Sequence, residues 1–216
     1  VLILSIDTSA AASAALVDDG VVVGRFATTD TRSHAEVLAP AIRDLLGSAD
    51  DPRVDALAVG VGPGPFTGLR AGIATARTLA FVWNVPVHGV MSLDALALEV
   101  AAHADGEFIV ATDARRKEVY WARYGGGSAA PQLMDGPHVG VPEGLPPLPV
   151  FGRGAGLYED RLNSVKGFTE LTPDAGALGR MAHLALSTGL PLRDTTPLYL
   201  RESDAKVPGP PKKATL

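Results

Sequence analysis

Between Leu57 and Trp83 the chain has few ways to fold. Leu57-Ala58-Val59-Gly60-Val61 is a short apolar run, Gly62-Pro63-Gly64-Pro65 a turn, and Phe66 to Trp83 a long Ala-rich run. That order reads as strand, tight loop and helix. Gly62 and Gly64 admit backbone angles that side chains forbid, while Pro63 and Pro65 fix φ and stiffen the loop. Phe66-Thr67 then starts the helix. Two phosphate-loop patterns fail here. A P-loop needs Gly-Lys-Ser/Thr at the end of its span, but the residue five beyond Gly62 is Thr67 and five beyond Gly64 is Leu69. The G-x-G-x-x-G dinucleotide pattern meets Pro65 or Thr67 where its last Gly belongs.

The helix carries Gly68, Gly72, Ala76 and Ala80 at every fourth position, so one side has almost no bulk. An interior Gly costs roughly 0.8–1 kcal/mol relative to Ala, so two of them imply that something packs very close. Either a neighbouring element of the same domain or a helix of another subunit would serve.

Composition narrows the function classes. The chain has 216 residues, 46% hydrophobic and 20% charged, enough for one large domain or two small lobes. A net charge of −5 argues against a dominant nucleic-acid footprint, which would be basic. The absence of Cys removes disulfides, thiolate zinc sites and thiol nucleophiles together. Val1 to Ile6 is too short for a signal-peptide core and has no basic region before it. No run approaches the ~20 apolar residues of a membrane span. A cytoplasmic protein with no membrane partner is expected.

Taken in order, Leu2 to Ile6 reads as a buried strand closed by Asp7, with a second strand from Ala12 to Val17. Asp18-Asp19-Gly20 makes a hairpin turn to a third, Val21 to Ala27. Ser33-His34-Ala35-Glu36 has the form of a capping box, opening a helix that Gly47 stops and Pro40 bends or weakens. On that helix Val37, Ala41 and Leu45 form one line, with Leu38, Ile42 and Leu46 beside it. After the strand–loop–helix unit come a short strand past Asn84-Val85-Pro86-Val87 and a helix from Ser92 to about His103. At Glu107 the plan restarts. Phe108 to Asp113 repeats the apolar strand ending in Asp7, followed by a turn, a strand from Glu118 to Tyr124 and Gly125-Gly126-Gly127. This is an internal duplication, with lobes at 1–104 and 105–200 and a solvated tail at 201–216. The second lobe is poorer. Ala129 to Pro149 reads as irregular loop with short strands, one near Pro149-Val150-Phe151, and Asp174 to Leu186 reads as a helix with Ala177, Leu178, Met181, Ala182, Ala185 and Leu186 on its apolar face.

Asp7 and Asp113, each ending a strand before a turn, are candidate remnants of a nucleotide site. Their turns, Thr8-Ser9 and Ala114-Arg115, lack the Gly that would let backbone N–H groups close on a phosphate. An aspartate bonding its own turn is the plainer reading. The five histidines include no pair at i, i+3 or i+4, so no helical metal site can be assembled from them. Arg115-Arg116-Lys117 is a short basic turn, read as a solvated loop, and no Gly-x-Ser-x-Gly elbow is present. No catalytic residues and no metal site are expected.

Asp7-Thr8-Ser9, Gly62-Pro63-Gly64-Pro65-Phe66-Thr67-Gly68-Leu69-Arg70-Ala71-Gly72, Asp113-Ala114-Arg115 with Glu118-Val119-Tyr120-Trp121, and Pro197-Leu198-Tyr199-Leu200-Arg201 occur in this order and resemble the TsaB (YeaZ) family. The family usually has Ser where Pro65 stands. The resemblance implies an α/β fold, a two-lobed actin-like ATPase-domain (ribonuclease H-like) duplication with the second lobe reduced. It implies a non-catalytic partner of the TsaD-type transferase, which places threonylcarbamoyl on N6 of adenosine 37 in ANN-decoding tRNAs. A TsaE-type ATPase would join a ternary complex, and tRNA would be met only indirectly. TsaD relatives bind metal through His-x-x-x-His shortly after an Asn-Val-Pro strand; here the matching positions are Ser92-Leu93-Asp94-Ala95-Leu96. The implied partner surface is the first two helices, through Val37, Leu38, Ala41, Ile42, Leu45, Gly68, Leu69, Gly72, Ile73, Ala76 and Ala80. The same surface would make a homodimer of the isolated chain. No cofactor is expected on the chain alone, with ATP or ADP confined to a composite interface in the complex. The competing expectation is a small nucleotide-binding transferase or hydrolase of the actin-like fold acting alone.

Overall fold

The structure, a computed structural model, describes residues 1–29, 34–47, 54–126 and 130–201. Ser33 of the capping box, Gly127 and the tail beyond 201 lie outside the described residues.

Two sheets carry the chain. The first has five strands: β1 (Leu2–Asp7), β2 (Ser13–Asp18), β3 (Val21–Ala27), β4 (Ala56–Gly60) and β5 (Val87–Val90), in the order β3-β2-β1-β4-β5. The first three form the expected antiparallel meander, and β4 and β5 join it in parallel. The second has four strands: β6 (Glu107–Asp113), β7 (Val119–Gly125), β8 (Gln132–Gly140) and β9 (Val150–Phe151), in the order β8-β7-β6-β9. It repeats the same meander with one parallel strand beside its first. The duplicated plan is the actin-like one. The second copy is shortened: β9 has two residues, and a single 3₁₀ turn at Pro142–Gly144 stands between β8 and β9 where the first copy has a helix.

Parallel neighbours require crossovers, and helices supply them in the first sheet. Helix α1 (His34–Leu46) runs between β3 and β4, and α2 (Phe66–Trp83) between β4 and β5. Both lie on one face, where Leu38, Ile42, Leu69, Ile73, Ala76 and Ala80 meet Leu4, Ile6, Leu57 and Val59. Each such Leu or Ile contributes about 1.5–3 kcal/mol by leaving water. Helix α1 continues through Pro40. Pro40 and Glu36 are both exposed, so the carbonyl that loses its helical donor is on the solvated side.

Helix α3 (Ser92–Val100) joins the lobes. Its Leu93, Leu96, Ala97 and Val100 pack on Phe108, Val110, Tyr124 and Phe151 of the second sheet. A short helix α4 (Arg153–Leu157) covers that sheet's other face with Ala155. Helix α5 (Ala175–Thr188) starts from Asp174, whose carboxylate accepts the N–H groups of Gly176 and Ala177.

Three expectations need correction. The segment 129–149, expected as irregular loop with short strands, holds β8, a single strand of nine residues. Gly136-Pro137 hid it, and an edge strand tolerates Pro because its outward N–H has no ladder partner. The second lobe does not run unbroken to residue 200. Helix α5 returns to the free face of the first sheet, where Ala177, Leu178 and Ala182 meet Ile3, Ala58 and Val90. Ser5 Oγ donates to the Ala175 carbonyl at 2.6 Å, and Ser13 Oγ accepts the Ala175 N–H at 3.0 Å. Lastly, Leu186, expected on the apolar face of this helix, is exposed.

Candidate functional site

The strand–loop–helix unit is built around the turn that follows β1. Gly62 has φ +98°, a region closed to most side chains. Gly64 is required by proximity, since a Cβ there would lie 2.7 Å from the Ser9 carbonyl oxygen. Further on, Thr8 Oγ1 donates to the Gly68 carbonyl at 2.8 Å, and a Cβ on Gly72 would collide with the same Thr8 side chain. The Asp7-Thr8-Ser9 turn is therefore seated under the first turns of α2. Two segments about 60 positions apart in sequence form one structural unit.

This fixes which way the small face of α2 points. Gly68, Leu69, Gly72, Ile73, Ala76 and Ala80 are all buried within the chain itself. They were expected to meet a partner; they meet the chain's own turn and sheet, so they are unavailable as a contact surface. On α1, Leu38, Ala41 and Ile42 are likewise buried, while Val37 and Leu45 are half-buried and line a groove with Arg25, Phe26, Glu36 and Pro40. The outward side of α2 carries Thr67, Ala71, Ala74 and Thr78, small residues at helical spacing, then Phe81 and Val82. Phe81 is 88% exposed and Val82 67%. Both were missed because an apolar residue near a helix end reads as core until the neighbouring elements are known.

The two strand-end aspartates are also decided by their surroundings. Asp7 is fully buried. Its Oδ1 accepts from Ser9 N–H at 2.8 Å and Ser9 Oγ at 2.7 Å, and its Oδ2 from Ser92 Oγ at 2.7 Å. Burial pushes its carboxyl above the usual range, partly offset by the bonds from Ser9 and Ser92. Asp7 is thus sealed away from any phosphate-bound metal. Asp113 repeats the turn geometry, its Oδ1 accepting Arg115 N–H at 2.7 Å and its Oδ2 lying 3.1 Å from the Arg115 guanidinium. It borders a cleft between the lobes of about 470 Å³, lined also by Ser9, Thr28, Thr112, Arg115 and Arg153. Arg115, Arg116 and Lys117 all have φ between 54° and 65°, a left-handed turn that non-Gly residues seldom adopt. Where the resemblance aligns a histidine pair, Ser92 is spent on Asp7 and Leu96 is buried in the core between the lobes. Among the described residues no group of three His, Asp or Glu could hold a metal ion, and no helix is long and apolar enough to cross a membrane.

The last described segment closes over these elements. Leu198 N–H donates to the Val61 carbonyl, and Arg77 holds Thr195 through its Oγ1 at 2.6 Å and its carbonyl at 2.9 Å. Tyr199 packs at a tilt against Phe66 with ring centroids 4.9 Å apart and accepts from Arg70 Nε, while Arg201 pairs with Glu118 of the second lobe.

Fold and site together define a reduced two-lobed protein of the actin-like ATPase fold, with its first strand-end aspartate sealed and an apolar cluster open on its second helix. Comparison with known proteins agrees. The family model for TsaD, tRNA N6-adenosine threonylcarbamoyltransferase, matches residues 22–135. The structure of YeaZ from Pseudomonas aeruginosa superposes with a TM-score of 0.78 at 32% identity, over 92% of this chain and 99% of that one. Rv3421c of Mycobacterium tuberculosis is 38% identical over 94% of this chain and 93% of its own length. The tRNA threonylcarbamoyladenosine biosynthesis protein TsaB of Escherichia coli is 41% identical over 56% of this chain and 54% of its own. The chain belongs to the TsaB/YeaZ family.

Proposed function

We propose that this protein acts in the formation of N6-threonylcarbamoyladenosine at position 37 of ANN-decoding tRNAs, as a non-catalytic subunit that holds the TsaD-type transferase. The observation that carries the reading is the outward face of α2. Ala71, Ala74 and Thr78 let another helix approach closely, and Phe81 and Val82 lie in water as apolar anchors beside them. Helix α1 packs next to α2 on the same sheet face, so its exposed side, with Ala39, Pro40 and Arg43, extends the surface. The engagement of Ser92 and Leu96 in the chain's own structure supports the lack of intrinsic transfer activity. A homodimer through the same face is the expected state of the isolated chain. A TsaE-type ATPase and a nucleotide at a composite interface belong to the assembled complex.

Reconstitution of the modification on an ANN-decoding tRNA transcript tests the reading. With the TsaD-type and TsaE-type proteins and the threonylcarbamoyl adenylate supplied, product should form only when this chain is present. Equal product without it overturns the proposal.

One observation favours the competing reading of a nucleotide-dependent enzyme: Asp113, Arg115 and Arg153 do border an open cleft. Calorimetry with Mg-ATP on the isolated chain separates the two. Tight binding lost in Asp113→Ala would support the enzyme, and the absence of heat supports the subunit.

A further inference from the structure

A second cavity, of about 450 Å³, lies between the start of α3, the start of β8, α5 and the segment after it. That is within the ~300–1,000 Å³ of ordinary small-molecule pockets. Its walls are apolar, from Met91, Leu133, Met181 and Leu192, and its lining contains one carboxylate, Asp94, and one guanidinium, Arg193. Both charged residues are held by the fold. Asp94 is half-buried and accepts from the hydroxyl of Tyr124 at 2.7 Å. Tyr124 is itself fully buried and stacked on Phe108. Arg193 is fixed through its backbone, which exchanges N–H and carbonyl bonds with Gly89 at 3.0 and 2.9 Å. Gly89 permits the crossing, because a Cβ there would collide with the Asp194 carbonyl. The cavity is separate from the outward face of α2 and from the interlobe cleft, and shares no lining residue with either.

A half-buried carboxylate and an exposed guanidinium bordering one apolar cavity do not suit a simple cation or anion, since each would meet one like charge. They suit a molecule that carries both charges on one end and an apolar group on the other. We propose that this cavity binds a free α-amino acid with an apolar side chain, its ammonium on Asp94, its carboxylate on Arg193 and its side chain among Met91, Met181 and Leu192. A carboxylate has about four lone-pair sites, so Asp94 can accept from the ammonium while keeping Tyr124. Arg193 is suited to the ligand carboxylate because its planar fork can meet both oxygens.

The groups facing Asp94 are the neutral Tyr124 hydroxyl from β7 and the charged Arg193 from the closing segment; α5 contributes only apolar residues to the lining. Burial raises the Asp94 carboxyl to about 6. Ammonium binding requires the ionised form, so affinity should be full above pH 7 and weaken as pH falls through 6.

Titration calorimetry on the full chain at pH 7.5 tests this with L-phenylalanine, L-leucine and L-methionine as probes. At least one should give saturable heat with a dissociation constant below about 1 mM. For L-phenylalanine, removing either charge should weaken binding by about tenfold or more, as read with phenethylamine and 3-phenylpropionate. Arg193→Gln should weaken the amino acid to a similar degree while leaving phenethylamine unweakened, and Asp94→Asn should do the reverse with 3-phenylpropionate. Arg193 is exposed, so its variant folds normally and keeps the test decisive. No saturable heat from any of the three up to about 10 mM, or equal binding of the singly charged analogues, overturns the proposal.

Discussion

Ser92 Oγ donates to Asp7 Oδ2 across 2.7 Å, tying the end of the first strand to the first residue of α3. The bond passes beside Gly60, where a Cβ would collide with the Asp7 carboxylate. Three segments therefore share one buried polar contact. Gly60→Ala should lower unfolding free energy by about 1–3 kcal/mol through overpacking. Ser92→Ala should cost a similar ~1–3 kcal/mol by leaving a buried carboxylate oxygen without its donor. Urea melts read both, and an unchanged midpoint in either variant would show that the contact is dispensable.

The two faces of α2 should respond in opposite ways. Gly72→Ala drives a methyl group into Thr8 and should destabilise the chain by roughly 1–3 kcal/mol. Phe81→Lys, at a position 88% exposed, should alter stability by less than about 0.5 kcal/mol. Its effect should fall instead on binding of the proposed TsaD-type partner, measured by co-purification or calorimetry. A Phe81→Lys chain that binds as well as the parent would remove the outward face from the interface.

Stability should depend on pH through Asp94. Its carboxyl titrates near 6 in the folded chain against 3.8 as the reference, so between these values the folded state holds the proton more tightly. Stability is then greatest below about pH 4, falls as pH rises, and reaches its lower level above pH 6. The difference amounts to at most roughly 3 kcal/mol. Asp7 is raised by burial too and acts in the same direction. Comparing the parent with Asp94→Asn across pH 4–7 isolates Asp94, because only the parent carries its share of the slope. Parallel curves would contradict the assignment.

Arg77 is the main side-chain clamp on the closing segment, through both atoms it meets on Thr195. Arg77→Ala should cost about 1–2 kcal/mol, since charge-assisted bonds are lost at a partly exposed site. It should also speed limited proteolysis between residues 189 and 201. If cleavage is unchanged, the contacts made by Arg193, Leu198, Tyr199 and Arg201 are sufficient to hold the segment.

Much of the site's framework was legible before any fold was known. The meander at the start, the rigid turn with its following helix, and the repeat of a strand ending in Asp each follow from local spacing and from Gly and Pro chemistry. The strand β8 was not legible, because an edge position removes both the apolar alternation and the penalty on Pro137 that sequence reading relies on. Nor was the return of α5, since its Ala-rich face fits either sheet equally well.

The small face of α2 shows where the division falls. Its spacing determines that something must approach within a methyl group's distance. Only the tertiary structure decides that this is the Asp7-Thr8-Ser9 turn of the same chain, because chain entry and exit through β4 and β5 orient the helix. Once that face is buried, the opposite side must carry Phe81 and Val82 into solvent. A helical period sets which residues share a face; the packing of the sheet beneath sets which face is left for another molecule.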